Sequence, residues 1–152
     1  MDKLIMFLAT GFGAGYLPKA PGTWGTLVAL PIHLLLVRTT PNHYAMIMAG
    51  LIVFGILIAG SAEKILDKAD PGCVVIDEIA GMLITLIGAP LNWQAMVVGF
   101  ALFRFFDILK PFPVNIADQR FHGGIGIMLD DLIAGLYGLL ILQLLCRYTP
   151  FF

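Results

Sequence analysis

DEIAGMLITLIGAPLNWQAMVVGFALFRFFD, residues 77–107, decides the fold. Its acids stand at the two ends, Asp77-Glu78 and Asp107, and residues 79–103 between them carry no charge. Read as one membrane span, the stretch would place those ends on opposite sides of a bilayer. Ala89-Pro90-Leu91-Asn92 argues for a break, because proline cannot continue a helical hydrogen-bond ladder and asparagine favours turns and caps. The stretch therefore predicts a helical hairpin, with arms near 77–88 and 93–108 and both acidic ends on one side. The first arm would be only about 18 Å long at 1.5 Å per residue, too short to cross a bilayer alone.

Working outward, Asp70-Pro71-Gly72 is a turn and Cys73 to Ile76 a short apolar run. Residues 20–37 and 39–62 carry no charged residue, and the polar turn Arg38 to His43 divides them into an earlier hairpin whose first arm Pro31 would kink. Residues 62–69, AEKILDKA, read as one or two exposed helical turns, with Glu63 and Asp67 on one face and Lys64 and Lys68 on another. Residues 4–19 begin apolar and break at Gly11, Gly13 and Gly15. In the loop APGTWGT, residues 20–26, glycines allow backbone N–H groups to approach an anion, and Thr23 or Thr26 is placed to cap the helix that follows. Lys110-Pro111-Phe112-Pro113 stops the second hairpin. Residues 114–122 read as a short interfacial helix, Gly123 to Gly126 as a flexible loop, and Asp130-Asp131 as the opening of a last apolar run, 132–146. The chain reads without an internal repeat of residue identity. The expected architecture is all-α: one domain over residues 1–152, a membrane-embedded bundle of about five hydrophobic helices plus short interfacial ones.

Composition agrees with a membrane setting. The chain is 59% hydrophobic and 12% charged, with a mean hydropathy of +0.92, where a soluble domain carries about 25% charged residues. A net charge of −1 gives no basic field for nucleic acid. Cys73 and Cys146 lie far apart without metal-ligand spacing and read as packing residues. Met1-Asp2-Lys3 and a short apolar run make no signal peptide, so the mature chain is expected to start near Met1.

With two hairpins, the segments around 20–26, 62–78 and 107–131 fall on one side. That side holds Lys3, Lys19, Lys64, Lys68, Arg104, Lys110 and Arg120, the other only Arg38 and Arg147, so the motif side is expected to be cytoplasmic. Asp77, Glu78, Asp107, Asp130 and Asp131 there offer hard oxygen ligands suited to Mg²⁺ or Mn²⁺. Arg104 and Lys110 flank Asp107. Acids, a divalent cation and two cationic side chains together suit a phosphate ester. A plainer reading stands beside this one. Asp77-Glu78 and Asp130-Asp131 are also what helix N-caps and first turns look like, and Asp107 is placed for a local ion pair with Arg104 or Lys110.

VVIDEIAGMLITL at 74–86, GFALFRFFDILKPFPV at 99–114, HGGIGIMLDDLIAG at 122–135 and GFGAGYLPKAPGTWGT at 11–26 resemble the phosphatidylglycerophosphatase A family. The resemblance covers most of the chain outside 27–73. It implies a bacterial, multi-pass inner-membrane phosphatase that is Mg²⁺-dependent, with its site facing the cytoplasm. Its substrate would be the lipid phosphatidylglycerophosphate, converted to phosphatidylglycerol. The family's motifs fall on Asp77 and Glu78, on Arg104, Asp107, Lys110 and Pro111, on Asp130 and Asp131, and on Pro21, Gly22 and Thr23.

On that basis Asp77, Asp107, Asp130 and Asp131 are expected to hold the metal, directly or through water. Glu78 is the first candidate for the base that activates water, with Asp77 second. Arg104 and Lys110 would bind phosphate, with Gly22 and Thr23 completing the cradle. Direct attack by water is the default chemistry, and an Asp107 nucleophile the alternative. The rival class is a small membrane transporter or ion-conducting protein. Such a pathway wants acids within spans, whereas all five acids here read as lying at span ends.

Overall fold

The computed structural model describes residues 1–150. Among them are seven α-helices and no strand: α1 (Asp2–Ala9), α2 (Pro21–Leu36), α3 (Pro41–Leu66), α4 (Ile76–Thr85), α5 (Trp93–Leu109), α6 (Val114–Arg120) and α7 (Gly123–Tyr148), with a 3₁₀ turn at Ala14–Tyr16.

The break near Pro90 is present. α4 ends at Thr85, and α5 starts behind Asn92, whose side chain accepts a hydrogen bond from the Ala95 N–H at 2.8 Å. The earlier hairpin is present too, with Pro41 in the first turn of α3 behind the Thr40 cap. The helical turns read at 62–69 are, as far as Leu66, the solvated end of α3, whose last turn holds Glu63 and Lys64. α3 and α7 are long and apolar enough to cross a membrane; α2 is a shorter apolar helix. Met46, Val53 and Leu57 on α3, and Leu140 and Leu144 on α7, are exposed.

α4 is the hub. At ten residues it is short, yet it is buried along nearly its whole length, from Ile76 through Thr85. A short buried helix has C-terminal carbonyls that need partners. Other helices supply them: the Tyr44 hydroxyl of α3 donates to the Leu83 carbonyl at 2.9 Å, and just beyond the helix end the Gln143 amide of α7 donates to the Ile87 carbonyl at 2.7 Å. Its N-terminal end is seated on the first segment of the chain. The Val75 N–H donates to the Ala9 carbonyl at 2.9 Å. Gly15 and Gly25 lie close enough to this loop that a β-carbon on either would press on Cys73 or Val75.

α7 lies against α4 in parallel. Gly81 faces the Asp131 carbonyl and Gly135, and one turn further Thr85 faces Gly138, its hydroxyl donating to the Gly135 carbonyl at 3.2 Å. This pairing rests on a short repeat that the sequence reading missed: Asp77-Glu78-Ile79-Ala80-Gly81 and Asp131-Leu132-Ile133-Ala134-Gly135 share the pattern D-x-I-A-G. In each, an acid stands one turn before a glycine that lets the backbones touch.

Two further expectations are corrected. Gly123 to Gly126 is no loop: the residues form the first turn of α7. Gly124 is there for proximity, since a β-carbon on it would press on the Ile56 carbonyl of α3. Asp130 and Asp131 consequently lie two turns inside α7 and not at its cap. At the start of α2 neither threonine caps; Ala20 is the cap residue, and the Thr26 hydroxyl donates back to the Gly22 carbonyl at 2.7 Å.

Candidate active site

A cavity of about 190 Å³ opens among the N-terminal ends of α4 and α7, the C-terminal end of α5, and α6. Asp77, Glu78, Asp107, Lys110, Asp130 and Asp131 all line it. The hairpin thus returns Asp107 to Asp77, and the three acidic segments meet.

Within the cavity the carboxylates are not equivalent. Asp77, Glu78 and Asp131 each offer an oxygen, and the three oxygens lie within 4.8 Å of one another. Asp77 and Asp131 are only 8% and 3% exposed. Three mutually close, buried carboxylates repel and are poorly solvated, so they call for a cation or for protons. Burial, and the adjacent Glu78, push the Asp77 carboxyl well above the usual range; burial also pushes Glu78 up, against the opposing hydrogen bond from Asp77. Among the described residues, Asp77 Oδ1 and Glu78 Oε2 are buried without a hydrogen-bond partner. The donor set is all carboxylate, the chemistry of Mg²⁺, Mn²⁺ or Ca²⁺ and not of zinc. This group could hold such an ion.

The other two acids are paired. Asp107 forms an ion pair with Arg104 one turn earlier on α5. Asp130 accepts a hydrogen bond from Lys110 Nζ at 2.8 Å, and the same ammonium bonds Asp118 of α6. Burial alone would lower the Lys110 pKa, but its two carboxylate partners outweigh that and raise it. Lys110 caps α5 in the left-handed conformation, at φ 44°, just before Pro111.

Gly22 belongs to the site by proximity: a β-carbon there would meet Glu78 Oε1 and come within 2.9 Å of Arg104 Nη1. The start of α2 therefore rests on the side chains of Glu78 and Arg104. Thr23 is half-buried one residue further along and does not line the cavity.

Four titratable lining residues escaped the sequence reading: Glu63, Asp70, Asp118 and His122. Asp118 had a signal, since two prolines at 111 and 113 turn the chain back towards the end of α5. Glu63 had none, because its spacing with Asp67 is that of any solvated helix end. Of the other histidines, His33 is buried with its Nδ1 3.5 Å from the Tyr44 hydroxyl, and His43 sits at the α3 cap with Thr40. No histidine joins the three-carboxylate group among the described residues.

Fold and site together define an all-helical protein that gathers buried carboxylates and Lys110 at one cavity, with Arg104 close to Glu78. The family model described as phosphatidylglycerophosphatase A matches residues 7–146, and the chain belongs to that family. It is similar to phosphatidylglycerophosphatase A of Escherichia coli (strain K12), 38% identical over 144 residues, covering 94% of this chain and 84% of that protein. It is equally similar to phosphatidylglycerophosphatase A of Haemophilus influenzae, 38% identical over 139 residues, 90% of this chain and 85% of that one. A protein of Bacteroides thetaiotaomicron named putative phosphatidylinositol-3-phosphatase is 40% identical over 147 residues, 91% of each chain. No solved structure matches. The chain is therefore an enzyme, a phosphoric monoester hydrolase, and the transporter reading finds no support.

Proposed function

We propose that the protein removes the terminal phosphate of phosphatidylglycerophosphate at a membrane surface, giving phosphatidylglycerol and inorganic phosphate. The observation that carries this reading is the convergence of Asp77, Glu78 and Asp131 with Lys110 at one cavity, with Arg104 and Glu78 both against Gly22. Membership of the family supplies the substrate.

Asp77, Glu78 and Asp131 are the residues that would hold a divalent cation, which we take to be Mg²⁺. Such an ion supplies charge neutralisation at phosphate oxygens and acidifies water. The remaining work falls to the chain. Arg104, its planar guanidinium oriented by Asp107, offers its free N–H groups to phosphate oxygens; Nε has no hydrogen-bond partner among the described residues. Lys110 has three donors, of which Asp118 and Asp130 take two, leaving one for phosphate. The backbone at Gly22 closes the cradle, with Thr23 next to it.

Glu78 is the base. Its Oε2 is buried with no hydrogen-bond partner among the described residues, so that oxygen has a lone pair free to take a proton. It takes a proton from the attacking water as the oxygen bonds phosphorus and the ester P–O bond breaks. The departing alkoxide takes a proton from solvent to become the lipid hydroxyl, and Glu78 gives its proton back to solvent, so that one water is consumed. Asp107 already neutralises Arg104, which argues against its being the nucleophile.

The bundle sits in the bacterial inner membrane as a multi-pass protein, with α3 and α7 as full spans and α2 as a shorter apolar arm. The motif side carries most of the basic residues and faces the cytoplasm. The whole chain acts as a single domain.

A second headgroup is favoured by one observation. The Bacteroides relative, named for an inositol lipid, is as similar to this chain as those named for phosphatidylglycerophosphate. Phosphate release from phosphatidylglycerophosphate and from phosphatidylinositol 3-phosphate, measured side by side in mixed micelles with Mg²⁺, tests both. A higher kcat/KM for the first supports the main reading. Turnover of the second alone would replace it, and turnover of neither would remove the lipid-phosphatase assignment.

A further inference from the structure

We infer that Lys110 is the built-in second cation of this site, so that the cavity takes one divalent ion and not two. The inference rests on the reading that Asp77, Glu78 and Asp131 hold a divalent cation, and it says what the remaining acids do.

Phosphate-ester hydrolysis often uses two cations, one on each side of the phosphorus, to stabilise the attacking and leaving oxygens. This cavity has carboxylates enough for two. Their geometry divides them. Asp77, Glu78 and Asp131 lie together within 4.8 Å, and Asp77 Oδ1 and Glu78 Oε2 are buried where no protein donor reaches them among the described residues. Asp130, the neighbour of Asp131 in sequence, is instead turned to Lys110 Nζ at 2.8 Å, and Asp118 of α6 binds the same ammonium. Two carboxylates from different helices converging on one point is how a divalent ion would be held; here the point is occupied by –NH₃⁺. Asp130 is only 7% exposed, and its other oxygen, Oδ1, has no partner among the described residues, so an uncompensated charge there would be costly if the ammonium left.

The backbone adds an independent argument. Lys110 sits at φ 44°, where glycine is the economical residue and a lysine is strained. A plain C-cap needs no side chain. A lysine held there points to a use for its ammonium group, and that group meets the two acids just described. With two of its three hydrogens on carboxylates, it keeps one to offer a phosphate oxygen. A cation of single charge on a flexible stem releases an anionic product more readily than a second divalent ion would.

The test is calorimetric titration of the detergent-solubilised full chain with Mn²⁺. Wild type is expected to take one equivalent. Lys110→Gly opens the space and relieves the backbone, and is expected to take two, the second lost again when Asp118→Asn is added. Lys110→Met fills the space without charge and is expected to take one. Two equivalents in wild type, or one in Lys110→Gly, overturns the assignment while leaving the three-carboxylate site standing. No binding in wild type overturns both.

Should Lys110→Gly fail to fold, two variants in the wild-type background decide the matter. Asp131→Asn is expected to weaken Mn²⁺ binding by about 100-fold or more, and Asp130→Asn by less than about tenfold. Equal losses in the two overturn the assignment of Asp130 to lysine.

Discussion

Gly135 of α7 meets Gly81 of α4 backbone to backbone: a β-carbon on Gly135 would fall against the Gly81 carbonyl oxygen. Asp131 and Asp77 stand one helical turn before these glycines, so the contact that sets the helix spacing also sets the spacing of the two acids. Packing and chemistry are joined at this point.

Gly135→Ala should therefore injure both. The added methyl has only backbone to push against, so the helices must part, at a cost of about 1–3 kcal/mol. A displacement of the acids by about 1 Å is worth roughly 100-fold in rate. Thermal melting in detergent and kcat for phosphate release check the two effects. A stable, fully active variant would show that the α4–α7 contact does not position the acids.

Tyr44→Phe separates stability from chemistry. It leaves the buried Leu83 carbonyl of α4 without its partner at 2.9 Å, while the cavity lining is untouched. The expected cost is about 1–3 kcal/mol, which for a chain of this size lowers the melting temperature by roughly 2–4 °C per kcal/mol. KM should be unchanged at temperatures where the variant is folded. An unchanged melting temperature would mean that this carbonyl finds another partner.

How much of this was legible in the sequence follows from particular residues. The break at Pro90 and Asn92 was readable because backbone chemistry enforces it locally. Asp77, Asp107 and Asp130-Asp131 were readable because charge beside so much apolar sequence is costly. The start of α7 was misread because four residues rich in glycine look like a loop, whereas Gly124 serves close approach to Ile56 of α3. That contact joins residues far apart in the chain and leaves no local trace. The division of labour among the acids was equally hidden, since only the fold shows that Asp131 turns to Asp77 and Glu78 while Asp130 turns to Lys110. The D-x-I-A-G repeat was in plain view. It escapes notice until the parallel packing of α4 and α7 shows what it is for.

Protonation of the site should be visible in stability. Burial, then the charge of Glu78, holds Asp77 well above the usual carboxylate range, and burial raises Glu78. The folded chain thus binds these protons more tightly than the unfolded one. Their contribution to stability is complete below the ordinary carboxylate pKa of about 4 and is lost as pH rises through the raised values. In the presence of chelator the melting temperature should fall as pH is raised from about 5 to about 8. Mg²⁺ takes the place of the protons, so in excess Mg²⁺ the fall should flatten. A fall that Mg²⁺ leaves unchanged would contradict a cation site at these residues.

Arg104→Lys keeps the charge but loses the planar fork that Asp107 orients. With one point charge left to meet the phosphate, kcat/KM should fall by about 10- to 100-fold at unchanged melting temperature. Full activity in this variant would place Arg104 outside the phosphate cradle.

The central claim is that Asp77 and Asp131, brought together by the parallel packing of α4 and α7, act as one site. A double-mutant cycle on phosphate release from phosphatidylglycerophosphate tests it most directly, with Asp77→Asn, Asp131→Asn and the double variant assayed in saturating Mg²⁺. Residues that act as a unit are strongly non-additive. Each single variant is predicted to lose at least about 1,000-fold in kcat/KM, and the double variant little more than either. Losses that multiply in the double variant, or a single variant with near wild-type turnover, would contradict the account.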